Sequence, residues 1–379
     1  MKNTAPLLNT VFIILLLIFY LQEGTPMKKG TIDNKTDHEL KEKIGQMILV
    51  GFRGKDISES SEIVQVIRNV KVGGLILYNR NISNPEQVKN LISDLQTYSS
   101  IPLFIAVDAE GGRVNRLGSK DGFVDILSPK ELGKINDPEV TKREALKLSQ
   151  ELKSLGFNMN FVPVVDLDLN PKNPIIGALG RSFSADPYKV VLHAQAFIEA
   201  HRQNNIITAA KHFPGHGSAM HDSHLGKVDV TKLYKKEELI PYKLLREKGM
   251  LDAIMTAHIT NRNIDKNFPA TLSSKFLKNI LREQIGFNGI VITDDMHMGA
   301  ISRYYSFEDS IIKAINAGCD IILVSNNNVL KYDKNLPYKI LDIIYKAVKN
   351  GKISEQRITE SFNRIYEMKK NFKIIKSPE

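Results

Sequence analysis

The stretch Ile206-Ile207-Thr208-Ala209-Ala210-Lys211-His212-Phe213-Pro214-Gly215-His216-Gly217 changes character within a few residues. An apolar run with the look of a strand buried on both faces ends in a cation and an imidazole. A loop shaped by one proline and two glycines follows. The same transition recurs along the chain. Strand-like apolar runs are predicted at 45–52, 72–78, 102–108, 158–166, 206–212, 253–258, 289–294 and 320–325, with helical periodicity between them. Eight such runs alternating with helices predict an α/β fold of the (β/α)8 barrel type rather than a doubly wound sheet. Asp108, Asp166, Lys211, His212, His258 and Asp294 all stand at the C-terminal ends of these runs. In a barrel those ends converge on one mouth, so motifs far apart in sequence would build one site.

The intervening helices have readable boundaries. Asn84-Pro85, Asp137-Pro138 and Asp186-Pro187 each offer a capping side chain followed by a proline suited to a first turn. Gly156 stands where a left-handed C-terminal residue belongs. From Ser354, the spacing of Ile358, Phe362, Ile365 and Met368 predicts a last packing helix.

With 379 residues and 42% hydrophobic content, the chain can bury a large core. Its formal charge of +10 comes from lysines scattered along helices, not gathered into a stripe with aromatics, so nucleic-acid binding is not expected. An anionic polymer such as cell wall would suit that surface. The single cysteine, Cys319, lies in an apolar run and reads as a buried strand residue; it excludes an internal disulfide and a cysteine metal site. Near the start, Lys2 precedes the apolar run 11–21, the length of a signal-peptide core and short for a membrane span. The expected organisation is a signal peptide or N-terminal membrane anchor at 1–26, a polar linker at 27–38 and one catalytic domain at 39–374. The product would be exported: periplasmic, extracellular or held on the outer face of the cytoplasmic membrane.

The polar clusters divide by chemistry. In the stretch Asp108-Ala109-Glu110-Gly111-Gly112-Arg113-Val114-Asn115-Arg116 two glycines let the backbone bend sharply, while Asp108 and Arg116 offer an acceptor and a fork of donors suited to a hydroxyl-rich ligand, or else a tight turn with a surface ion pair. Arg181 sits in a long aperiodic loop of the kind that carries function. His212, His216, His221 and His224 invite a metal hypothesis, but Pro214, Gly215 and Gly217 forbid the helix that would present two of them together, so no metal and no cofactor is expected. Asp222 and His224, two apart on a loop, suit a proton-transfer pair in which the carboxylate sets the imidazole tautomer. Asp294 and Asp295 close a buried run; two like charges share a dry pocket poorly, so one is expected to face inward and the other outward or into a salt bridge.

Together the motif Lys211 to Gly217, then Asp222-Ser223-His224, with Asp108 to Arg113, Gly180-Arg181-Ser182-Phe183 and Thr293-Asp294-Asp295-Met296, resemble glycoside hydrolase family 3. The similarity is to its β-N-acetylglucosaminidase branch and covers residues 36–372. The resemblance implies a retaining hydrolase acting on terminal β-linked N-acetylglucosamine in wall-derived glycans. It implies Asp294 as nucleophile, His224 as acid/base supported by Asp222, and Asp108, Arg116, Arg181, Lys211 and His212 gripping the sugar. The alternatives are a β-glucosidase or β-xylosidase, a glycoside phosphorylase favoured by the neutral imidazole base, or a wall-binding protein without catalysis. Ser218, Ser184 and the segment after His224 depart from the family pattern and are expected on the mobile loop and the pocket rim.

Overall fold

The computed structural model describes residues 29–327 and 332–375, with side chains described from residue 36. The chain forms two units, Met1–Leu40 and Lys41–Glu379. The apolar run 11–21 lies outside the described residues, and among those residues no helix is long and apolar enough to cross a membrane. Residues 27–38, expected as a linker, enter the helix Lys29–Gln46 from Lys29 onward. After Pro26 that stretch holds no proline and only Gly30, so nothing in it stops a helix. The first predicted strand accordingly begins late, after this helix has ended.

Eight parallel strands follow: β1 Ile48–Gly51, β2 Gly74–Ile76, β3 Phe104–Val107, β4 Met159–Asn160, β5 Ile207–Phe213, β6 Ala253–Thr256, β7 Ile290–Ile292 and β8 Ile322–Val324. Each pairs with its neighbours in sequence, and β1 pairs with β8. The bridge between Ile292 and Ile321 joins β7 to β8 and closes the barrel. Every residue of these eight strands is buried, because helices cover the outside and side chains fill the inside. β4 is shorter than the run 158–166 predicts. Pro163 lacks an N–H, so pairing resumes beyond it, where Val165 donates to the carbonyl of Lys211 at 2.8 Å.

The helix starts follow the predicted chemistry. Asn84 Oδ1 accepts from the Gln87 N–H at 2.9 Å, and Asp137 and Asp186 cap two more helices, Pro138–Leu155 and Pro187–Gln203. Gly156 is left-handed at φ 95°. The helix Glu355–Asn371 packs last.

Charged groups lie at both ends of the barrel and do different work. At the N-terminal end, Asp320 is fully buried beside the β7–β8 seam. Its carboxylate accepts from the Val291 N–H at 3.0 Å, from Arg282 at 2.8 Å, from Arg357 at 3.0 Å, from Arg364 at 3.1 Å and from Ser361 Oγ at 2.9 Å. These bonds compensate its burial and staple a seam that has one strand bridge. Cys319 is buried as expected, but in the turn before β8 rather than within the strand; burial pushes its thiol up.

Candidate active site

At the C-terminal end the strands surround a cavity of about 390 Å³. All of Asp108, Arg116, Arg181, Lys211, His212, His224 and Asp294 line it. Asp222 is not on the wall but pairs with His224. Seven positions spread from 108 to 294 therefore meet because strand ends and their loops face one opening.

Lys211 points inward from β5 with 2% of its side chain exposed. Its Nζ donates to Asp108 Oδ1 at 2.8 Å and lies 2.7 Å from Glu110 Oε1. Arg181 closes on the same Glu110 with two bonds, Nε to Oε2 at 2.8 Å and Nη2 to Oε1 at 2.7 Å. Such a planar fork fixes both side chains at once. Arg181 Nη1 is spent on the carbonyl of Ile175. Burial pushes the Asp108 carboxyl up, but Lys211 and Arg116 outweigh it and bring it down to about 2. Burial opposes Glu110 too, and Arg181 and Lys211 hold it below the usual range. These acids are charged at working pH, and the wall is a set of fixed dipoles and charges matched to hydroxyls.

His212, at the end of β5, is oriented from behind. Asp166 Oδ2 accepts from its Nδ1 at 2.6 Å, which leaves the Nε2 lone pair to accept from Arg181 Nη2 at 3.4 Å. The second Asp166 oxygen accepts the His216 N–H at 2.7 Å, so one buried carboxylate positions both the ring and the following loop. Burial opposes the charge on Asp166, but His212 dominates and its pKa is lowered.

The residues 214–224 form the predicted non-helical loop. On it, Asp222 Oδ1 accepts from both the N–H of His224 at 2.8 Å and its Nδ1 at 2.7 Å. Nδ1 is thereby the protonated nitrogen facing the carboxylate, and Nε2 is the one available to a ligand. The imidazole side chain is 60% exposed at the cavity mouth, where a departing group would have to leave.

Asp294 and Asp295 depart from expectation. Both line the cavity, and Asp295 has no salt bridge among the described residues. It is committed instead to Ser325 and the backbone. Its oxygens accept from Ser325 Oγ, from the Ser325 N–H at 3.1 Å and from the His297 N–H at 3.1 Å. Asp294 accepts one hydrogen bond among the described residues, from the Asp295 N–H to Oδ1 at 2.8 Å. Burial pushes Asp294 up, but His258, His212 and His224 outweigh it and its pKa is lowered. An ionised carboxylate with lone pairs to spare, facing an imidazole across one cavity, can attack an electrophilic carbon while the imidazole handles a proton.

The sequence by itself assigns no role to Glu110, Asp166 or His258, although all three lie in the motifs or strand ends described above. Glu110 is buried because the hairpin Ala109–Gly111 with Val114–Asn115 folds it inward. His258 spans from the Thr271 hydroxyl at 2.8 Å to the carbonyl of Asp295 at 3.0 Å and supports the acidic pair. The signals in the chain are a place in the Asp108 to Arg113 motif for Glu110 and a polar residue at the end of an apolar run for His258.

A family model described as the glycosyl hydrolase family 3 N-terminal domain matches residues 39–368. Beta-hexosaminidase A of Pseudoalteromonas piscicida is 32% identical over 335 residues, covering 81% of this chain and 55% of that protein. The beta-hexosaminidase of Haemophilus influenzae is 35% identical over 288 residues, covering 74% and 79% respectively. A solved family 3 β-N-acetylglucosaminidase from Paenibacillus sp. str. FPU-7 is similar with TM-score 0.82 at 34% identity, covering 90% of this chain and 64% of its own. The chain thus spans little more than half of the first relative and under two thirds of the solved one.

Proposed function

The chain belongs to glycoside hydrolase family 3, and from that premise we infer that it is a retaining exo-β-N-acetylglucosaminidase. The observation that carries the reading is the Asp222–His224 pair and Asp294 on opposite sequence segments of one cavity. Asp294 attacks the anomeric carbon and forms a glycosyl ester as the bond to the departing oxygen breaks; His224 Nε2 delivers the proton to that oxygen. The imidazole then takes a proton from water, whose oxygen displaces Asp294 and restores the enzyme. Asp222 holds the ring and stabilises its cationic form. Asp108, Lys211, Arg181, His212 and Arg116 bind the sugar hydroxyls, with Glu110 and Asp166 fixing them from behind.

Asp294 rather than Asp295 is the nucleophile in this reading, because the oxygens of Asp295 are engaged by Ser325 and two backbone N–H groups. The substrate is a glycan bearing terminal N-acetylglucosamine, of the kind released from cell wall, and the basic chain suits such an anionic setting. Export completes the reading, supported by Lys2 and the apolar run 11–21. Fractionation of cells producing the full chain should find it outside the cytoplasm; a cytoplasmic pool alone would remove that part.

Trapping with a 5-fluoro N-acetylglucosaminyl fluoride tests the chemistry, with Asp294 as the expected labelled residue. Parallel assays on aryl β-N-acetylglucosaminide and aryl β-glucoside test the sugar. Preference for the glucoside, or a label elsewhere, would overturn the assignment concerned.

A further inference from the structure

Glu238 lies outside the cavity, in the short turn Lys236–Leu239, and is 1% exposed. Among the described residues no lysine or arginine pairs with it. A buried carboxyl without a cation is costly, and an apolar side chain of similar size would be cheaper for stability alone. Burial pushes its pKa up to about 7. What the carboxyl does instead is hold a loop. It accepts from the Gly217 N–H at 2.8 Å and from Ser218 Oγ at 2.6 Å. Gly215 sits so close that a Cβ there would lie 2.5 Å from Glu238 Cβ and 2.7 Å from Oε2. Four residues before Glu238, the Tyr234 hydroxyl donates to the carbonyl of Pro214 at 2.9 Å.

The residues 214–218 are thus held by 234–238, and four residues after Ser218 the chain reaches Asp222. Along that span the Ala219 carbonyl accepts from Asn170 Nδ2 at 2.9 Å. Beyond it, the Ser223 and His224 carbonyls accept from Ala300 and Gly299, each at 3.0 Å. The loop is held at both ends, and near its start two buried carboxylates divide the work, Asp166 on the His216 N–H and Glu238 on Gly217 and Ser218.

We propose that Glu238 is a positioning residue for proton transfer: it touches no substrate, but sets the course of 215–218 that delivers Asp222 and His224 to the cavity. The inference rests on His224 being the acid/base. A carboxyl suits the task because it can serve in either protonation state. Ionised, it accepts from both donors; protonated, one oxygen still accepts from the Gly217 N–H while its hydroxyl donates to Ser218 Oγ. Glutamine reproduces the second pattern, with Nε2 as donor.

The test compares Glu238→Ala, Glu238→Gln and His224→Ala on aryl β-N-acetylglucosaminides of graded leaving-group pKa. Glu238→Ala should lose at least about tenfold in kcat/KM on poor leaving groups and under about threefold on activated ones, the signature of impaired acid catalysis. Glu238→Gln should recover to within about threefold of the parent on all of them. Ser218→Ala, a smaller change at the same contact, serves if Glu238→Ala does not fold, and should show the same leaving-group trend. Uniform losses across the series, or no loss, in the Glu238 and Ser218 variants beside a graded loss in His224→Ala would overturn this inference alone. A flat response of His224→Ala itself would overturn the assignment of His224, and this inference with it.

Discussion

The peptide N–H of Gly299 donates to the carbonyl of His224 at 3.0 Å, and that of Ala300 donates to Ser223 at the same distance. Gly299 lies five residues beyond Asp294. The loop bearing the proton-transfer pair is therefore stitched to the segment that carries the candidate nucleophile. A Cβ at Gly299 would sit 2.7 Å from that His224 carbonyl, a backbone atom that cannot swing aside cheaply. Gly299→Val should displace the loop and lower kcat on poor leaving groups by about 10- to 100-fold, with little change in KM. Unchanged steady-state parameters would show that the contact does not set the geometry.

Asp294→Ala should abolish turnover and leave sugar binding measurable by calorimetry, since the wall formed by Asp108, Lys211 and Arg181 does not depend on it. Turnover at the parent rate would remove Asp294 from the mechanism.

His224→Ala should slow substrates with poor leaving groups far more than activated aryl glycosides. Added azide, an external nucleophile needing no deprotonation, should restore the release step for activated substrates. Equal losses and no response to azide would make His224 structural.

Glu238 gives a pH signature in stability. Its folded pKa of about 7 lies above the ordinary 4.5, so the folded state holds the proton more tightly than the unfolded chain. Its contribution is therefore fully present below about pH 4.5 and is lost as pH rises toward 7, on the order of 3 kcal/mol in all. Glu238→Gln carries no such titration. Relative to the parent, the variant should gain stability between pH 5 and pH 8 in paired urea melts; a constant difference across that range would contradict the shift.

Asp320→Ala should destabilise the barrel by about 3–5 kcal/mol, because it strands three arginines and the Val291 N–H at the β7–β8 seam. Urea denaturation measures it. A loss under about 1 kcal/mol would mean that the arginines are resolvated without cost.

Much of this was legible in the chain itself. Periodicity marked eight buried runs because a strand covered by helices outside and side chains inside must be apolar on both faces, and the caps at Asn84, Asp137 and Asp186 are local chemistry that needs no tertiary contact. The pairing of Asp222 with His224 is equally local, since two residues of separation put carboxylate and imidazole within reach of each other. Family motifs imply roles for the remaining residues. Residue chemistry alone does not separate the two acids of the pair; the family pattern points to Asp294, and the fold adds a difference in their hydrogen bonding. Asp294 and Asp295 are the same residue type in adjacent positions, and only the arrival of Ser325 from the end of β8 engages one and spares the other. Glu110 and Glu238 are likewise ordinary acids in sequence; barrel closure buries them, against Lys211 and Arg181 in one case and under the 215–218 loop in the other. Burial, partner and proton affinity are properties of what surrounds a group, and here those surroundings come from strands and loops separated by as many as a hundred residues.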